Sequence, residues 1–187
     1  MRRGLIGVVS CALLAALAAD ASATTVRRLT DEALTAQADA IVIGRTAERE
    51  ARWVDRDLVT FVTVSVTETL KGEPLSSVTV AIPGGIDANR RFPVAVTYPG
   101  APSLGPDEEV LLFLVNGQDV SGAFAVAGFS QGKFSVVQDA AGVKHVSRDL
   151  TTVSVMDANG VAQGTRQLER LSDFREEILG YVNGGSQ

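Results

Sequence analysis

The segment 58–70 alternates from Val62 onward between apolar and hydroxyl-bearing side chains, with Glu68 the one exception, and no other segment restricts the possible folds as strongly. Successive side chains of a β-strand point to opposite faces, so this alternation predicts a strand with one buried and one solvated face. Sheets of that kind are usually antiparallel. The apolar face carries Val62, Val64, Val66 and Leu70, and the polar face carries Thr63, Ser65, Thr67 and Thr69.

Further short apolar or alternating runs predict a mostly β domain. Val110–Val115 is apolar on both faces, which predicts a central strand covered on both sides. Asp139–Gly142 predicts a hairpin turn, and Thr30 predicts the cap of a short helix over residues 31–38. Other strands are predicted over residues 40–53, 78–82, 123–127, 133–138, 143–148 and 151–156.

The C-terminal segment predicts an amphipathic helix over residues 166–181. Its apolar stripe recurs at three- and four-residue steps and consists of Leu168, Leu171, Phe174, Ile178 and Tyr181. A short helix, a run of strands and a closing helix together predict a partly closed antiparallel β-barrel of the OB type or a β-sandwich.

The first 23 residues have the organisation of a cleavable signal peptide. Arg2 and Arg3 precede an apolar run that is too short to span a bilayer, and Ala21-Ser22-Ala23 supplies a cleavage site. Cleavage after Ala21 is the alternative. We therefore expect a single exported domain of residues 24–187, periplasmic or secreted, with no membrane anchor.

Charge and cysteine content exclude several function classes. The only cysteine, Cys11, lies inside the predicted signal peptide, where it only loosely fits a lipoprotein cleavage box. The exported domain therefore has no disulfide, thiol nucleophile or thiolate ligand. The formal charge of the whole chain is −5, and removing the signal peptide makes it one unit more negative. An acidic domain repels phosphate backbones, which argues against nucleic acid as a partner.

Three segments within residues 38–115 resemble the strands of netrin-like domains, the OB-type barrels found in tissue inhibitors of metalloproteinases. Residues 38–45 resemble the family's "AD-x-V-x-x-G-x-V" strand, residues 64–72 resemble the strand that ends in "LKG", and residues 105–114 resemble its "G-x-x-Y/V-L-x-F" strand. The resemblance implies a barrel with terminal helices, and it favours binding over catalysis as the function. The inhibitors chelate zinc through an N-terminal cysteine. The exported chain here starts near Thr24 and has no cysteine, so that mechanism does not carry over.

Gly128-Phe129-Ser130-Gln131-Gly132 matches the nucleophile elbow of serine hydrolases, and Asp139 and His145 follow in the hydrolase order. An elbow requires a strand followed by a helix, whereas residues 133–138 predict another strand. We therefore interpret the two glycines as flanking a bend. A hydrolase that uses Ser130 and His145 is the alternative function.

No cofactor or metal site is predicted. His145 is the only histidine, whereas a zinc site built from side chains needs several histidine or cysteine ligands. Two short acidic segments, Asp55–Asp57 and Asp157–Gly160, predict turns, and weak calcium binding at either one is left open.

The remaining candidate is a surface in the proline-rich segment 84–105, which we expect to be a long loop, with an extra strand over residues 92–98 as an alternative for that part. Arginine and aromatic side chains are the usual anchors of protein interfaces. The leading hypothesis is a non-enzymatic binding or inhibitor-like module for another exported protein. A structural subunit of an envelope assembly is a further alternative, and the oligomeric state stays open. The candidate binding residues are Arg90, Arg91, Phe92 and Tyr98.

Overall fold

The computed structural model describes residues 25–117, 122–151, 153–157 and 160–184. The two helices are α1 (Asp31–Gln37) and α2 (Leu171–Gly184). The predicted signal peptide lies outside the described residues. The strands are β1 (Thr25–Arg27), β2 (Ala40–Val54), β3 (Asp57–Lys71), β4 (Ser77–Asp87), β5 (Val94–Thr97), β6 (Glu109–Asn116), β7 (Phe124–Val126), β8 (Lys133–Gln138), β9 (Lys144–Asp149), β10 (Ser154–Asp157), β11 (Gly160–Gln163) and β12 (Arg166–Arg170).

Five strands form a hydrogen-bonded ring in the order β2-β3-β4-β7-β6. Its neighbours are antiparallel except β4 and β7, which run parallel and pair only through Val80 and Phe124. Strands β8, β9 and β12 extend the sheet outward from β6, and β1, β10 and β11 form a small separate sheet. The prediction of a mostly β domain, a partial barrel or sandwich with a short helix before it and a longer one after it, is confirmed.

Two apolar cores lie on opposite sides of strands β2 and β6. The inner core fills the ring and takes Val110, Leu112 and Leu114 from β6. The outer core takes Leu111 and Phe113 from the same strand and packs them against both helices. Because side chains alternate along a strand, one continuous apolar segment serves both cores. The prediction of a doubly covered central strand is therefore confirmed.

The N-terminal helix begins where its cap predicts. Thr30 Oγ1 accepts a hydrogen bond from the backbone N–H of Ala33 at 3.1 Å. At the other end, Lys71 Nζ donates to the backbone oxygen of Thr35 at 2.7 Å, which places a positive charge at the helix C-terminus.

The predicted start of the C-terminal helix is wrong. Residues 166–170 form β12, which pairs with β9, and α2 begins only at Leu171. Phe174 and Ile178 of the predicted stripe are buried against the outer core, as expected. Leu168, which fits the helical spacing, lies on the strand with 65% of its surface exposed. Pairing with β9 therefore prevails over the helical pattern of these five residues.

The segment predicted as a long loop contains regular structure. Strand β4 continues through Pro83 to Asp87, and β5 matches the extra strand predicted near residues 92–98. Residues 77–83 of β4 pair with β3, whereas residues 84–87 pair with β5. The strand changes partner at Gly84 and Gly85, whose φ angles are 93° and 145°. Two glycines in the left-handed region let the chain bend there without a side-chain clash. We call the β4–β5 pair over residues 84–97 the ribbon.

Candidate binding surface

The ribbon separates the four predicted binding residues. Arg90, Arg91 and Phe92 lie in the connection between β4 and β5, whereas Tyr98 follows the far end of β5. A four-residue strand rises about 3.3 Å per residue, so Tyr98 stands well away from the other three. The structure therefore brings together three of the four residues.

Asp87 organises the connection between the two ribbon strands. Its buried carboxylate accepts hydrogen bonds from Trp53 Nε1 at 2.7 Å, from Arg90 Nε at 2.8 Å and from the backbone N–H of Asn89 at 3.1 Å. The Arg90 guanidinium also lies 4.9 Å from the centre of the Trp53 ring, within cation–π distance. The charge of Arg90 is thus balanced by that of Asp87.

Beside this cluster, the surface exposes large apolar side chains. Phe92 is 75% exposed, with the Arg91 guanidinium 5.6 Å from its ring centre. Trp53 is also partly exposed, beneath the guanidinium of Arg90. We call this group of residues the ribbon surface, and it consists of Trp53, Arg90, Arg91 and Phe92. Ile86, which is 64% exposed, lies next to Asp87 on β4 and therefore faces the other side of the ribbon.

Tyr98 ties the ribbon to the end of the β2–β3 hairpin. Its hydroxyl donates to Asp57 Oδ1 at 3.0 Å, and this bond to a carboxylate raises the pKa of Tyr98 above its usual value. Together with the bond from Trp53 to Asp87, it joins the hairpin to the ribbon at two points. Such bonds hold the ribbon surface in one arrangement.

Asp87 should make the fluorescence of Trp53 depend on pH. The hydrogen bond from Trp53, with help from Arg90 and Asn89, holds the pKa of Asp87 below 3.8 despite the opposing effect of burial. Its stabilising contribution is therefore present above pH 3.8 and is lost as the pH falls through the lowered pKa. Trp53 is the only tryptophan. We expect its emission to titrate with a midpoint below pH 3.8, and the transition to disappear in Asp87→Asn.

The control for this titration is Asp55→Asn, in the adjacent turn, which should leave the transition unchanged. Far-UV circular dichroism over the same pH range separates the local change from acid unfolding. A midpoint at or above pH 3.8, or a transition that persists in Asp87→Asn, would contradict the assignment.

The predicted hydrolase residues do not form a hydrogen-bonded triad. Ser130 lies in a short 3₁₀ turn, Phe129–Gly132, that leads into β8, so the strand-to-helix geometry of an elbow is missing. Within the described part of the chain, the buried Ser130 Oγ has no hydrogen-bond partner. His145 Nε2 instead contacts Asp139 Oδ2 at 3.0 Å within the β8–β9 hairpin.

Glu108 and Glu109, where β6 begins, form separate ion pairs. Glu108 Oε1 lies 2.6 Å from Lys133 Nζ, and Glu109 Oε1 lies 2.7 Å from Lys144 Nζ. Burial raises the pKa of Glu108, but its hydrogen bonds with Lys133, Ser135 and Gly105 outweigh that effect and leave the pKa below its usual value. The two ion pairs therefore link the start of β6 to β8 and β9, which is a structural role.

The described residues contain no group of three or more histidine, cysteine, aspartate or glutamate side chains that could hold a metal ion. The turn residues 55 and 56 join β2 to β3 as predicted. Two residues of the other acidic turn, 158 and 159, lie outside the described residues. Among the helices that the structure describes, none is long and apolar enough to cross a membrane.

Trp53 of the ribbon surface, and Asp87, which holds it in place, escape prediction from sequence. Trp53 lies near the end of β2 and Asp87 ends β4, and 34 positions separate them. The one available signal was a lone tryptophan beside a predicted turn, where a large ring lacks strand neighbours on one side.

No family model, curated protein or solved structure matches the chain, so any inference about its function rests on the geometry of the chain itself.

Proposed function

We propose that this chain is an exported, non-enzymatic protein-binding module, and that its ribbon surface contacts another exported protein. The observation that carries the proposal is the exposure of Phe92 beside Arg91, in a connection where Arg90 packs against the partly exposed ring of Trp53. Large apolar side chains grouped with arginine are the usual anchors of protein interfaces.

The construction of the surface supports this role. Asp87 fixes Trp53 and Arg90, and Tyr98 fixes the opposite end of the ribbon. A surface that is already ordered loses less conformational entropy when a partner binds, so more of the contact energy appears as affinity. The proposed export rests on the N-terminal sequence, whose charged, apolar and small-residue regions follow in signal-peptide order.

Site-specific photocrosslinking in the producing cells tests the proposal. A photoreactive phenylalanine analogue is placed at Phe92, and in a matched control at Leu168, which is 65% exposed on β12. We expect a crosslinked adduct with one exported protein from position 92 and none of that mass from position 168. Substituting Arg91→Ala in the same background should reduce the yield of the adduct, because the guanidinium is an anchor beside the ring.

Two results would refute the proposal. The first is the absence of any adduct from position 92 in a protein that is expressed and folded. The second is the same set of adducts from both positions, which indicates random encounters with exposed apolar groups.

A further inference from the structure

A cleft of about 300 Å³ lies between the ribbon and residues 98–104, and the ribbon surface does not account for it. Its floor is formed by Ile82 and Leu104, which also belong to the inner core of the ring. Ala101 and Pro102 form part of the wall. The cleft is therefore an apolar opening at one end of the ring core, at the lower end of the size range of small-ligand sites.

The bend in β4 creates this cleft. After Gly84 and Gly85, β4 leaves β3 and pairs with β5. Ala95 and Val96 of β5 therefore form a second wall of the cleft. Thr60 Oγ1 donates to the backbone oxygen of Gly84 at 2.7 Å and holds the bend in place. Because a side chain at Gly84 would approach the backbone oxygen of Val96 to 2.6 Å, only glycine fits at the base of this wall.

Among the described residues, Arg49 is the one charged residue that lines the cleft. Arg49 is paired with Val62 across β2 and β3, and Val62 faces the inner core, so Arg49 stands on the inner face of the hairpin. The next residue, Glu50, pairs with Phe61, which packs on the opposite face.

Within the described part of the chain, the Arg49 guanidinium has no ion-pair or hydrogen-bond partner. None of the described carboxylates lines the cleft. Thr97 and Ser103 add hydroxyl groups to the lining. An apolar floor below a single unpaired cation complements a ligand that has an aliphatic body and one negative charge.

We propose that this cleft binds a small amphiphilic carboxylate, a medium-chain fatty acid in chemical class. The aliphatic chain lies on Ile82 and Leu104, and the carboxylate pairs with the Arg49 guanidinium. Arginine is well suited to this role because its planar fork of N–H donors matches the two oxygens of a carboxylate.

Isothermal titration calorimetry of the full exported protein with octanoate tests the site. We expect saturable binding that weakens roughly tenfold in Arg49→Gln, since a hydrogen bond to a charged group contributes about that much in affinity. Arg56→Gln is the matched control, because Arg56 is an arginine of the same hairpin that does not line the cleft. It should bind octanoate as the unmodified protein does.

Two further measurements distinguish the contribution of the Arg49 charge to binding from that of the apolar cleft. The uncharged analogue 1-octanol should bind with equal affinity to the unmodified protein and to Arg49→Gln. Ala95→Phe fills the cleft from an exposed strand position and should abolish binding of both ligands without lowering the thermal midpoint of unfolding.

Octanoate affinity that is unchanged in Arg49→Gln or in Ala95→Phe would overturn the proposal, and so would the absence of saturable octanoate binding. These outcomes are independent of the crosslinking at Phe92, so either proposal can fail without the other.

Discussion

Replacing Phe113 by alanine should lower the free energy of unfolding by about 3–5 kcal/mol, the cost typical of removing a fully buried phenylalanine. Phe113 is completely buried in the outer core. Its ring centre lies 5.8 Å from that of Phe134 on β8 and 6.4 Å from that of Phe174 on α2. The Phe113 side chain thus connects β6 to β8 and to the C-terminal helix. Its removal leaves a cavity that neither Phe134 nor Phe174 can fill alone.

Urea denaturation followed by circular dichroism measures this effect. For a domain of this size, the expected loss corresponds to a fall of roughly 6–20 °C in the midpoint of thermal unfolding. Phe92→Ala is the matched control, because the same atoms are removed from a ring that is 75% exposed, and it should change the stability by no more than about 0.5 kcal/mol. If the two variants lose similar stability, the assignment of Phe113 to a close-packed core is wrong.

Replacing Gly85 by alanine should give the second large effect, a loss of at least about 1–3 kcal/mol from backbone strain alone. The φ angle of Gly85 is 145°, in a region that L side chains rarely adopt. A Cβ atom there would also collide with Thr60 Oγ1 and approach the Cβ atom of Ala51 to 3.1 Å. Thr60 is buried and bonded to Gly84, so it cannot move aside without losing that bond.

Gly142→Ala separates strain from collision. Gly142 also has a positive φ, 83°, but its nearest neighbour for a new Cβ atom is the flexible end of Gln138 at 3.5 Å. We expect Gly85→Ala to be clearly the less stable variant in denaturant unfolding. It should also shift the Trp53 emission, because displacing the ribbon weakens the bond between Trp53 and Asp87. Equal stability of the two variants would show that the bend has room for a side chain.

The parts of the fold that follow from local pattern were predictable. Alternation in residues 58–70 fixes a strand, the two-sided apolar run of β6 fixes its central position, and Thr30 fixes a helix start. Each of these depends on neighbours within a few positions, so the physical signal lies in the sequence itself.

The errors arise where distant pairing decides the structure. Pro83-Gly84-Gly85 indicates a break, yet β4 continues because β5 offers a new partner beyond the bend. Arg166–Arg170 fits a helical stripe, yet this segment forms a strand because it pairs with β9. Closure of the ring depends on one pair of residues, Val80 and Phe124, which no local pattern marks.

The candidate site was predictable only in part, for the same reason. Arg91 and Phe92 are adjacent in sequence and remain together at the surface. Trp53 and Asp87 meet only after the hairpin and the ribbon have formed. The cleft beside Arg49 has no sequence signature, because its lining comes from four separate segments of the chain.

The change of partner in β4 also bears on how this protein can evolve. Residues 86–97 belong to neither the inner nor the outer core, and the ribbon that they form is attached at the bend and by bonds to the hairpin. Surface segments of this kind accept substitutions at little cost in stability. Descendants of this chain can therefore change the side chains that the ribbon connection exposes while the ring of strands beneath it stays the same.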